Sequence, residues 1–217
     1  MKDGDKNSVK NIVILISGGG SNMQAIVQAS RDQQWAEKYG AKVACVISNR
    51  PDAEGLACAA ALGMVTHAVD HRLFDGRIGF ENAVVAQLER YQPALVVLAG
   101  FMRILTPDFV ARYLGRLVNI HPSLLPEFTG LNTHQRAIDA GRTVAGATVH
   151  MVTNALDHGL ILARVEVPVL PGDTAAALAA RVLAQEHVLY PQAIAALLQT
   201  QLNQGKVQHA ATAVNPN

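Results

Sequence analysis

The chain alternates short apolar runs with longer amphipathic stretches. Four runs have the length and the β-branched content of buried strands, and they span residues 12–16, 43–47, 95–98 and 117–120. The stretches between them show helical periodicity at residues 23–34, 54–62 and 80–91. This alternation predicts an α/β fold with a Rossmann-like, doubly wound and mostly parallel sheet, whose ligands bind beyond the carboxyl ends of the strands.

The pattern changes after Gly141. Residues 148–153 and 161–169 are typical of strands, and no long helix lies between them, so we expect an antiparallel strand pair at the C-terminal end of the sheet. Residues 175–200 then predict a long helix that is interrupted near Pro191.

The length of 217 residues suits one domain with a substantial core, which we place at residues 11–202. Residues 1–10 are polar and lack the apolar segment of a signal peptide, so they predict a disordered lead. Residues 203–217 are polar enough to predict a flexible tail.

Composition and charge narrow the function classes. The formal net charge is +1 and no block of basic residues is present, so we expect no nucleic-acid partner. No run approaches the roughly 18 consecutive apolar residues of a membrane span, so we expect no membrane partner. Cys45 and Cys58 lie in apolar runs and predict buried free thiols, which favours a reducing, cytoplasmic location. Small-molecule chemistry is the expected activity.

The segment Asn119-Ile120-His121-Pro122 ends the fourth predicted strand. Residues two apart in a strand face the same side, so Asn119 and His121 project together where Pro122 stops the ladder. An amide and an imidazole can hold an oxyanion and handle a proton, and Asp157 on a later loop can orient and charge the imidazole. The segment also fits an ordinary His-Pro turn with a satisfied amide, and the spacing alone leaves both interpretations open.

The Gly-rich segment Ser17-Gly18-Gly19-Gly20-Ser21-Asn22 joins the first predicted strand to the first predicted helix. Free backbone N–H groups and a helix N-terminus predict an anion site there, with Ser21 or Asn22 as donor or helix cap. Met23 occupies the third glycine position of a dinucleotide fingerprint, and no Lys-Ser/Thr pair follows as in a P-loop. A phosphate monoester on a small substrate fits better, and a tight turn without a ligand is the alternative.

Three further features of the sequence have a chemical and a structural interpretation. Arg103, in the apolar segment from Ala99 to Leu105, either packs against a flat aromatic ligand or extends to solvent. His67 and His71 have i, i+4 spacing but no further ligand, so we expect surface residues and no metal. Ser123 lies outside any G-x-S-x-G motif and is not expected to be a hydrolase nucleophile.

Taken together, the segments resemble the glycinamide ribonucleotide formyltransferases, the folate-dependent formyltransferases of purine synthesis. The resemblance runs from about residue 11 to about residue 198. Its segments are Ile14-Leu15-Ile16-Ser17-Gly18 with Gly20-Ser21-Asn22, Val97 to Leu105, Asn119 to Pro126, Gly146 to Thr153 with Leu156-Asp157, and Arg181-Val182 with Gln185-Glu186-His187.

The resemblance implies transfer of a formyl group from 10-formyltetrahydrofolate, as co-substrate, to the amine of glycinamide ribonucleotide, by a monomer or homodimer without a metal. It implies catalytic roles for Asn119, His121 and Asp157. It assigns ribonucleotide contacts to Gly19, Gly20, Ser21, Asn22, Met102, Pro122 and Glu186. It assigns folate contacts to Arg103, Ile104, Leu105, Val110, Leu117, Val152 and Asp157.

Three single positions and one four-residue segment depart from the family pattern. Leu183 stands where Gln is often found, which removes one expected hydrogen bond to the ribonucleotide. Glu127-Phe128-Thr129-Gly130 replaces a basic residue followed by an aromatic and Pro-Gly, so the loop differs in charge and stiffness. Asn132 stands where His is common, and His158 where Gly is common. None of these changes removes a reacting group.

Three alternatives share parts of this pattern. Methionyl-tRNA formyltransferase and formyltetrahydrofolate deformylase have the same Asn/His/Asp chemistry. The first carries a C-terminal RNA-binding domain, whereas this chain ends soon after its last predicted helix without a basic extension. The second carries an N-terminal regulatory domain and lacks the Gly-Ser-Asn loop. A non-catalytic folate- or nucleotide-binding module would keep the pocket and lose the three reacting groups.

Overall fold

The computed structural model describes the backbone of residues 9–213 and the side chains of residues 9–203. Its strands are β1 (Lys10–Ile16), β2 (Ala41–Ser48), β3 (Val65–Ala68), β4 (Leu95–Leu98), β5 (Leu117–His121), β6 (Val144–Met151) and β7 (Ile161–Pro168). They form one sheet in the order β3-β2-β1-β4-β5-β6-β7. Neighbours from β3 to β5 are parallel, and β6 is antiparallel to both β5 and β7. The predicted α/β sheet, mostly parallel with an antiparallel C-terminal pair, is confirmed.

Helices cover both faces of this sheet. They are α1 (Ser21–Asp32), α2 (Trp35–Tyr39), α3 (Glu54–Ala61), α4 (Arg77–Glu89), α5 (Pro107–Arg112), α6 (Thr133–Asp139) and α7 (Ala175–Ala213). A short 3₁₀ turn, His71–Leu73, precedes α4.

Strand β1 shows why the central strands are apolar throughout. Ile12, Ile14 and Ile16 belong to the hydrophobic cluster that includes residues of α1, α3 and α7. Val13 and Leu15 belong to a second cluster, which includes residues of α4 and α5. Because side chains alternate between the two faces and both faces are covered, every position in such a strand favours an apolar residue.

Several elements were not predicted. Strand β3 lies at the sheet edge and Val65 is half exposed, so it lacks the apolar run of a buried strand. Helices α2, α5 and α6 are too short to show clear periodicity. Strand β6 starts at Val144, earlier than the predicted residue 148.

The expected interruption at Pro191 is wrong, because Pro191 lies inside α7. Proline removes one backbone donor from a helix interior, which normally costs about 3 kcal/mol. Here Leu189, Tyr190 and Ile194 are buried on either side of it, so packing keeps the helix in place. Since α7 extends to Ala213, it includes much of the predicted tail, whose flexibility stays a prediction.

The remaining expectations concern the chain ends, the thiols and membranes. Residues 1–8 of the predicted lead and residues 214–217 of the tail lie outside the described residues, and β1 begins at Lys10. Both cysteines are free thiols; Cys45 is buried as predicted, whereas Cys58 is only partly buried. Within the described part of the chain, none of the helices combines the length and apolar character needed to span a membrane.

Candidate functional site

The end of β5 places two of the predicted catalytic residues. Asn119 and His121 lie two apart on this strand, which ends at His121 immediately before Pro122. In the antiparallel ladder with β6, Asn119 pairs with His150 and His121 pairs with Thr148. The Thr148 hydroxyl donates to the Ser123 carbonyl at 2.7 Å and accepts from the Leu125 N–H at 3.0 Å. This side chain therefore ties the turn after His121 to the sheet.

The His121 imidazole is buried between two oxygen acceptors. Its Nε2 lies 3.0 Å from the main-chain carbonyl of Phe128, and its Nδ1 lies 3.5 Å from Oδ2 of Asp157. A carbonyl oxygen can only accept, so Nε2 carries a hydrogen. The doubly protonated imidazolium is the form in which both ring nitrogens donate towards their neighbours, and it suits a role in stabilising negative charge.

Asp157 reaches His121 from the loop between β6 and β7. Its backbone is in the left-handed region, with φ 56°, and its side chain is buried. Oδ2 accepts a hydrogen bond of 2.9 Å from the Gly130 N–H. The distances from the carboxylate to His121 and to His150, 3.5 Å and 3.8 Å, exceed hydrogen-bond length, so these contacts act through charge. The structure thus brings the three predicted catalytic residues together.

His150 is a residue of this site that the sequence analysis missed. Its Nδ1 lies 3.0 Å from the Met151 carbonyl, so Nδ1 donates; Nε2, 3.3 Å from the Asn119 amide nitrogen, then accepts. His150 therefore sets which way the Asn119 amide points. Burial lowers the pKa of His150, against the opposing effects of the Met151 carbonyl and Asp157, and this favours the neutral form that accepts. The signal in the sequence was the alternation of Thr148 and His150 within an apolar strand.

The Gly-rich loop begins α1 differently from the prediction. Helix α1 starts at Ser21, its N-cap is Gly20 with φ 73°, and no side chain caps it. The expected cap by Ser21 or Asn22 is therefore wrong, because both residues already lie in the first turn. Gly55, at the start of α3, donates its N–H to the Gly18 carbonyl at 3.0 Å and holds the loop from the side.

Asn22 instead connects the loop to the last helix. Its amide nitrogen donates to Oε2 of Glu186 at 2.6 Å, and both side chains are buried. Its Oδ1 is buried and has no hydrogen-bond partner among the described residues. Burial raises the pKa of Glu186, although the bond from Asn22 opposes this shift. The buried Asn22 oxygen is thus left as an unsatisfied acceptor next to the Glu186 carboxylate.

A cavity of about 620 Å³ opens at the carboxyl ends of the central strands. All the residues predicted to contact the ribonucleotide line it: Gly19, Gly20, Ser21, Asn22, Met102, Pro122 and Glu186. Leu183 also lines it, so the apolar departure from the family pattern lies in the same cavity as the residues predicted to contact the ribonucleotide. The sequence analysis did not foresee three further lining residues, Asn49, Arg50 and His71.

The expectation that His67 and His71 are surface residues needs correction. Both are partly buried, and His67 Nε2 lies 2.6 Å from the Tyr91 hydroxyl. His71 packs edge-on against Phe80. Within the described residues no group of three or more His, Cys, Asp or Glu side chains is arranged to hold a metal, and the expected absence of a metal stays a prediction.

The residues predicted to contact folate are divided between the cavity and the core. Arg103 lines the cavity, and its guanidinium carbon lies 5.9 Å from the centre of the Phe80 ring, in cation–π range. Val110 and Leu117 are buried in the hydrophobic cluster against which Leu105 and Val152 pack, while Ile104 is exposed. Their contacts with folate stay predictions.

The loop that departs from the family pattern borders two of the predicted catalytic residues, His121 and Asp157. Glu127 pairs with Arg142 at 2.8 Å on the surface. The guanidinium carbons of Arg136 and Arg142 lie 5.5 Å and 6.0 Å from the centre of the Phe128 ring. Asn132 has φ 56° before α6, and asparagine tolerates this conformation better than most residues do. A second cavity, of about 780 Å³, lies near the amino ends of β1 and β2, and none of the predicted site residues lines it.

Comparison with known proteins agrees with this geometry. The model of the formyl transferase family matches residues 10–194. The chain belongs to the formyl transferase family. Phosphoribosylglycinamide formyltransferase of Escherichia coli (strain K12) is 46% identical over 184 residues, which cover 85% of each chain. Trifunctional purine biosynthetic protein adenosine-3 of Homo sapiens is 42% identical over 183 residues, which cover 84% of this formyl transferase but only 18% of the human protein.

Solved structures of other formyl transferases share the fold. The phosphoribosylglycinamide formyltransferase of Brucella melitensis has a TM-score of 0.81 and 49% identity, covering 87% of this chain and 95% of its own. Glycinamide ribonucleotide transformylase 1 of Symbiobacterium toebii has a TM-score of 0.84 and 40% identity, covering 90% of each chain. The family resemblance and the fold predicted from the sequence are confirmed.

Proposed function

We propose that this formyl transferase transfers the formyl group of 10-formyltetrahydrofolate to the amine of glycinamide ribonucleotide in purine biosynthesis. The products are formylglycinamide ribonucleotide and tetrahydrofolate. The proposal rests on one observation: Asn119, His121 and Asp157 converge beside a cavity that the Gly-rich loop borders. The 46% identity to the E. coli phosphoribosylglycinamide formyltransferase supports the same reaction.

The cavity suits a ribonucleotide in two of its parts. The N-terminus of α1 offers backbone N–H groups and a partial positive charge to a phosphate. The Glu186 carboxylate offers acceptors at the inner wall. Ribose hydroxyls can donate to this carboxylate.

The formyl carbon is attacked by the amine nitrogen, and its oxygen becomes an oxyanion in the tetrahedral intermediate. The Asn119 amide has two hydrogens, and His150 accepts one of them, which leaves the other for the oxyanion. His121, as imidazolium, supplies a second donor. Because Nε2 of His121 contacts the Phe128 carbonyl, that contact is released or shared when His121 donates to the oxyanion.

Collapse of the intermediate breaks the bond between the formyl carbon and the folate nitrogen N10. The attacking amine loses one proton and the leaving nitrogen gains one, so the reaction needs no external acid or base. Asp157 is positioned to balance the positive charge of His121 and to pass this proton through ordered water. Its burial keeps the charge effects strong.

The apolar residues near β5 fit the folate ring. Leu105 and Val152 are partly buried and pack on the cluster that contains Val110 and Leu117, and Arg103 lies at its edge over Phe80. A cytoplasmic location, a monomeric or homodimeric state and the absence of a nucleic-acid partner complete the proposal, and each is still a prediction.

The test follows tetrahydrofolate release spectroscopically after mixing the protein with a 10-formyl folate and glycinamide ribonucleotide. We expect release that requires the ribonucleotide and is lost in His121→Ala. Release without the ribonucleotide would instead identify a deformylase. If no folate product appeared under either condition, the transferase assignment would be wrong.

A further inference from the structure

His71 lies at the same edge of the sheet as the Gly-rich loop. After β2 and β3 end, their chains continue side by side, because the N–H of Val69 donates to the Ser48 carbonyl at 2.9 Å and that of His71 to the Asn49 carbonyl at 3.2 Å. His71 then opens the 3₁₀ turn, which Asp70 caps by accepting from the Arg72 N–H. Its side chain therefore borders the 620 Å³ cavity.

The orientation of the His71 ring follows from its hydrogen bonds. Nδ1 lies 2.8 Å from the Asn49 main-chain carbonyl, which can only accept, so Nδ1 carries a hydrogen. The Asn49 amide nitrogen, 3.2 Å away, cannot donate to a protonated Nδ1 and is only a close neighbour. The edge-on contact with Phe80 supports the ring from another side. Nε2 has no hydrogen-bond partner among the described residues.

Asn49 is itself part of a buried network that spans three strand ends. Its Oδ1 accepts from the Ser17 hydroxyl at 2.6 Å, and that hydroxyl oxygen accepts from the Met102 N–H at 2.7 Å. Ser17 begins the Gly-rich loop and Met102 follows β4. His71 is thus held in a fixed position relative to both sides of the cavity.

The charges near His71 favour an anion. Asp52 is paired with Arg50, and Asp70 with Arg72, both at 2.8 Å, so the two nearby carboxylates already have cationic partners. Arg103, on the Phe80 ring that His71 also contacts, has no salt-bridge partner among the described residues. Arg50 lines the cavity and retains N–H groups beyond those bound to Asp52.

We infer that His71, in its doubly protonated form, and Arg50 form an anion subsite of the cavity beside the Gly-rich loop, in which Nε2 of His71 donates to a substrate oxygen. The inference rests on the proposed function for the identity of the substrates. Two substrate anions have the required chemistry: the phosphate of the ribonucleotide and a carboxylate of the folate glutamate. Both carry oxygens that accept charge-assisted hydrogen bonds.

Two substitutions of the same residue separate Nε2 from Nδ1. In His71→Asn, the amide nitrogen stands near the position of Nδ1 and can still donate to the Asn49 carbonyl, but Nε2 is lost. In His71→Gln, the amide nitrogen stands near the position of Nε2 and can still donate to the anion. Arg50→Gln tests the second cation. Arg112→Gln is the matched control, because Arg112 is likewise paired with a carboxylate, that of Glu89, but does not line the cavity.

Steady-state kinetics are measured for each variant with both substrates and with two truncated analogues, the ribonucleoside without phosphate and a folate without glutamate. We expect His71→Asn and Arg50→Gln to raise KM for one anionic substrate about fivefold to tenfold, with kcat changed less than about twofold. His71→Gln is expected to raise KM less than His71→Asn does, and Arg112→Gln is expected to behave like the unmodified protein. The truncated analogues show which substrate carries the contacted anion. The analogue that lacks this anion has the same KM in the variants as in the unmodified protein.

An equal rise in KM for the complete substrates and for the truncated analogues would show that His71 only supports the fold. A larger rise in KM for His71→Gln than for His71→Asn would show the same. Thermal unfolding of each variant separates this case from misfolding. If the unmodified protein shows no transferase activity, the proposed function fails, and calorimetric titration with glycinamide ribonucleotide and with 10-formyltetrahydrofolate still tests the subsite. Unchanged affinity for both in His71→Asn overturns the inference.

Discussion

Asn22 and Glu186 are joined by a 2.6 Å hydrogen bond although 164 positions separate them in the chain. The bond connects the first turn of α1 to the middle of α7, so the Gly-rich loop and the last helix form one wall of the cavity. Because the amide nitrogen of Asn22 faces Glu186, its oxygen is left as an acceptor. Asn22 can offer a phosphate its backbone N–H and the second hydrogen of its side-chain amide.

Replacement of Glu186 by Gln should weaken ribonucleotide binding and stabilise the fold. Loss of the charged acceptor is expected to raise KM for the ribonucleotide about tenfold, the usual scale for a hydrogen bond to a charged group. The pKa of Glu186 is raised above its ordinary 4.5 in the folded state, so the native protein loses stability as the pH rises above 4.5. Glutamine removes this loss.

The stability part is checked by thermal unfolding of both proteins at pH 4.5 and pH 7.5. Raising the pH from 4.5 to 7.5 should increase the melting temperature of the variant relative to that of the unmodified protein. A decrease in this difference between pH 4.5 and pH 7.5 would contradict the assignment. Glu166, on the exposed side of β7, provides a control by Glu166→Gln.

Substitution of either donor at the end of β5 should slow the chemical step. Asn119→Ala and His121→Ala each remove one proposed oxyanion donor, and a loss in kcat on the order of 10²-fold is expected, with smaller changes in KM. His158→Ala is the matched control, because His158 is exposed beside Asp157 and its ring nitrogen contacts the Leu156 carbonyl. Single-turnover kinetics measure the effect, and an unchanged rate in Asn119→Ala would exclude its amide from the reaction.

His150 should make the protein sensitive to acid. Its pKa is lowered from 6.5 in the folded state, mainly by burial, so its neutral form contributes stability above pH 6.5 that is lost as the pH falls through the lowered value. His150→Gln removes this titration. Urea unfolding at pH 7.5 and pH 5.0 should therefore show a smaller drop in stability for the variant than for the unmodified protein, and equal drops would mean that His150 is not the titrating group.

Gly55 should be needed for the shape of the Gly-rich loop. A Cβ at this position would lie 2.6 Å from Ile16 Cδ1 and 2.7 Å from the Gly18 carbonyl oxygen, so the backbone of the loop would have to move. Gly55→Ala is expected to lower the free energy of unfolding by about 1–3 kcal/mol and to raise KM for the ribonucleotide.

Gly79→Ala is the control for Gly55→Ala. Gly79 lies inside α4, where an added Cβ comes no closer than 3.6 Å to Phe74. The substitution is therefore expected to raise the free energy of unfolding by about 0.5–1 kcal/mol. Chemical denaturation and steady-state kinetics measure both variants. Normal ribonucleotide affinity in a folded Gly55→Ala protein would show that the loop tolerates the displacement.

Features that depend on local pattern were predicted well. The apolar runs of β1, β2, β4 and β5 correspond closely to the strands, because both sheet faces are covered and each position favours an apolar residue. The pairing of Asn119 with His121 also followed from local rules, since side chains two apart in a strand share a face.

Features that depend on neighbours distant in the chain were missed or wrong. His150 reaches Asn119 only because β6 pairs with β5, and His71 reaches the cavity only because the segments after β2 and β3 run side by side. The expected cap by Asn22 was wrong, and so was the expected break at Pro191, since packing of α7 against the sheet outweighs the local preference of proline.

The sequence by itself determined the α/β class, the strand end that presents Asn119 and His121, and the Gly-rich loop between β1 and α1, because periodicity and backbone preference are properties of neighbouring residues. Only the tertiary structure decided that Asp157 and His150 lie beside His121 and Asn119. It also decided that Glu186 and His71 line the same cavity as the Gly-rich loop. The physical reason is that strand register and helix packing depend on the burial of the whole core, which no local segment specifies.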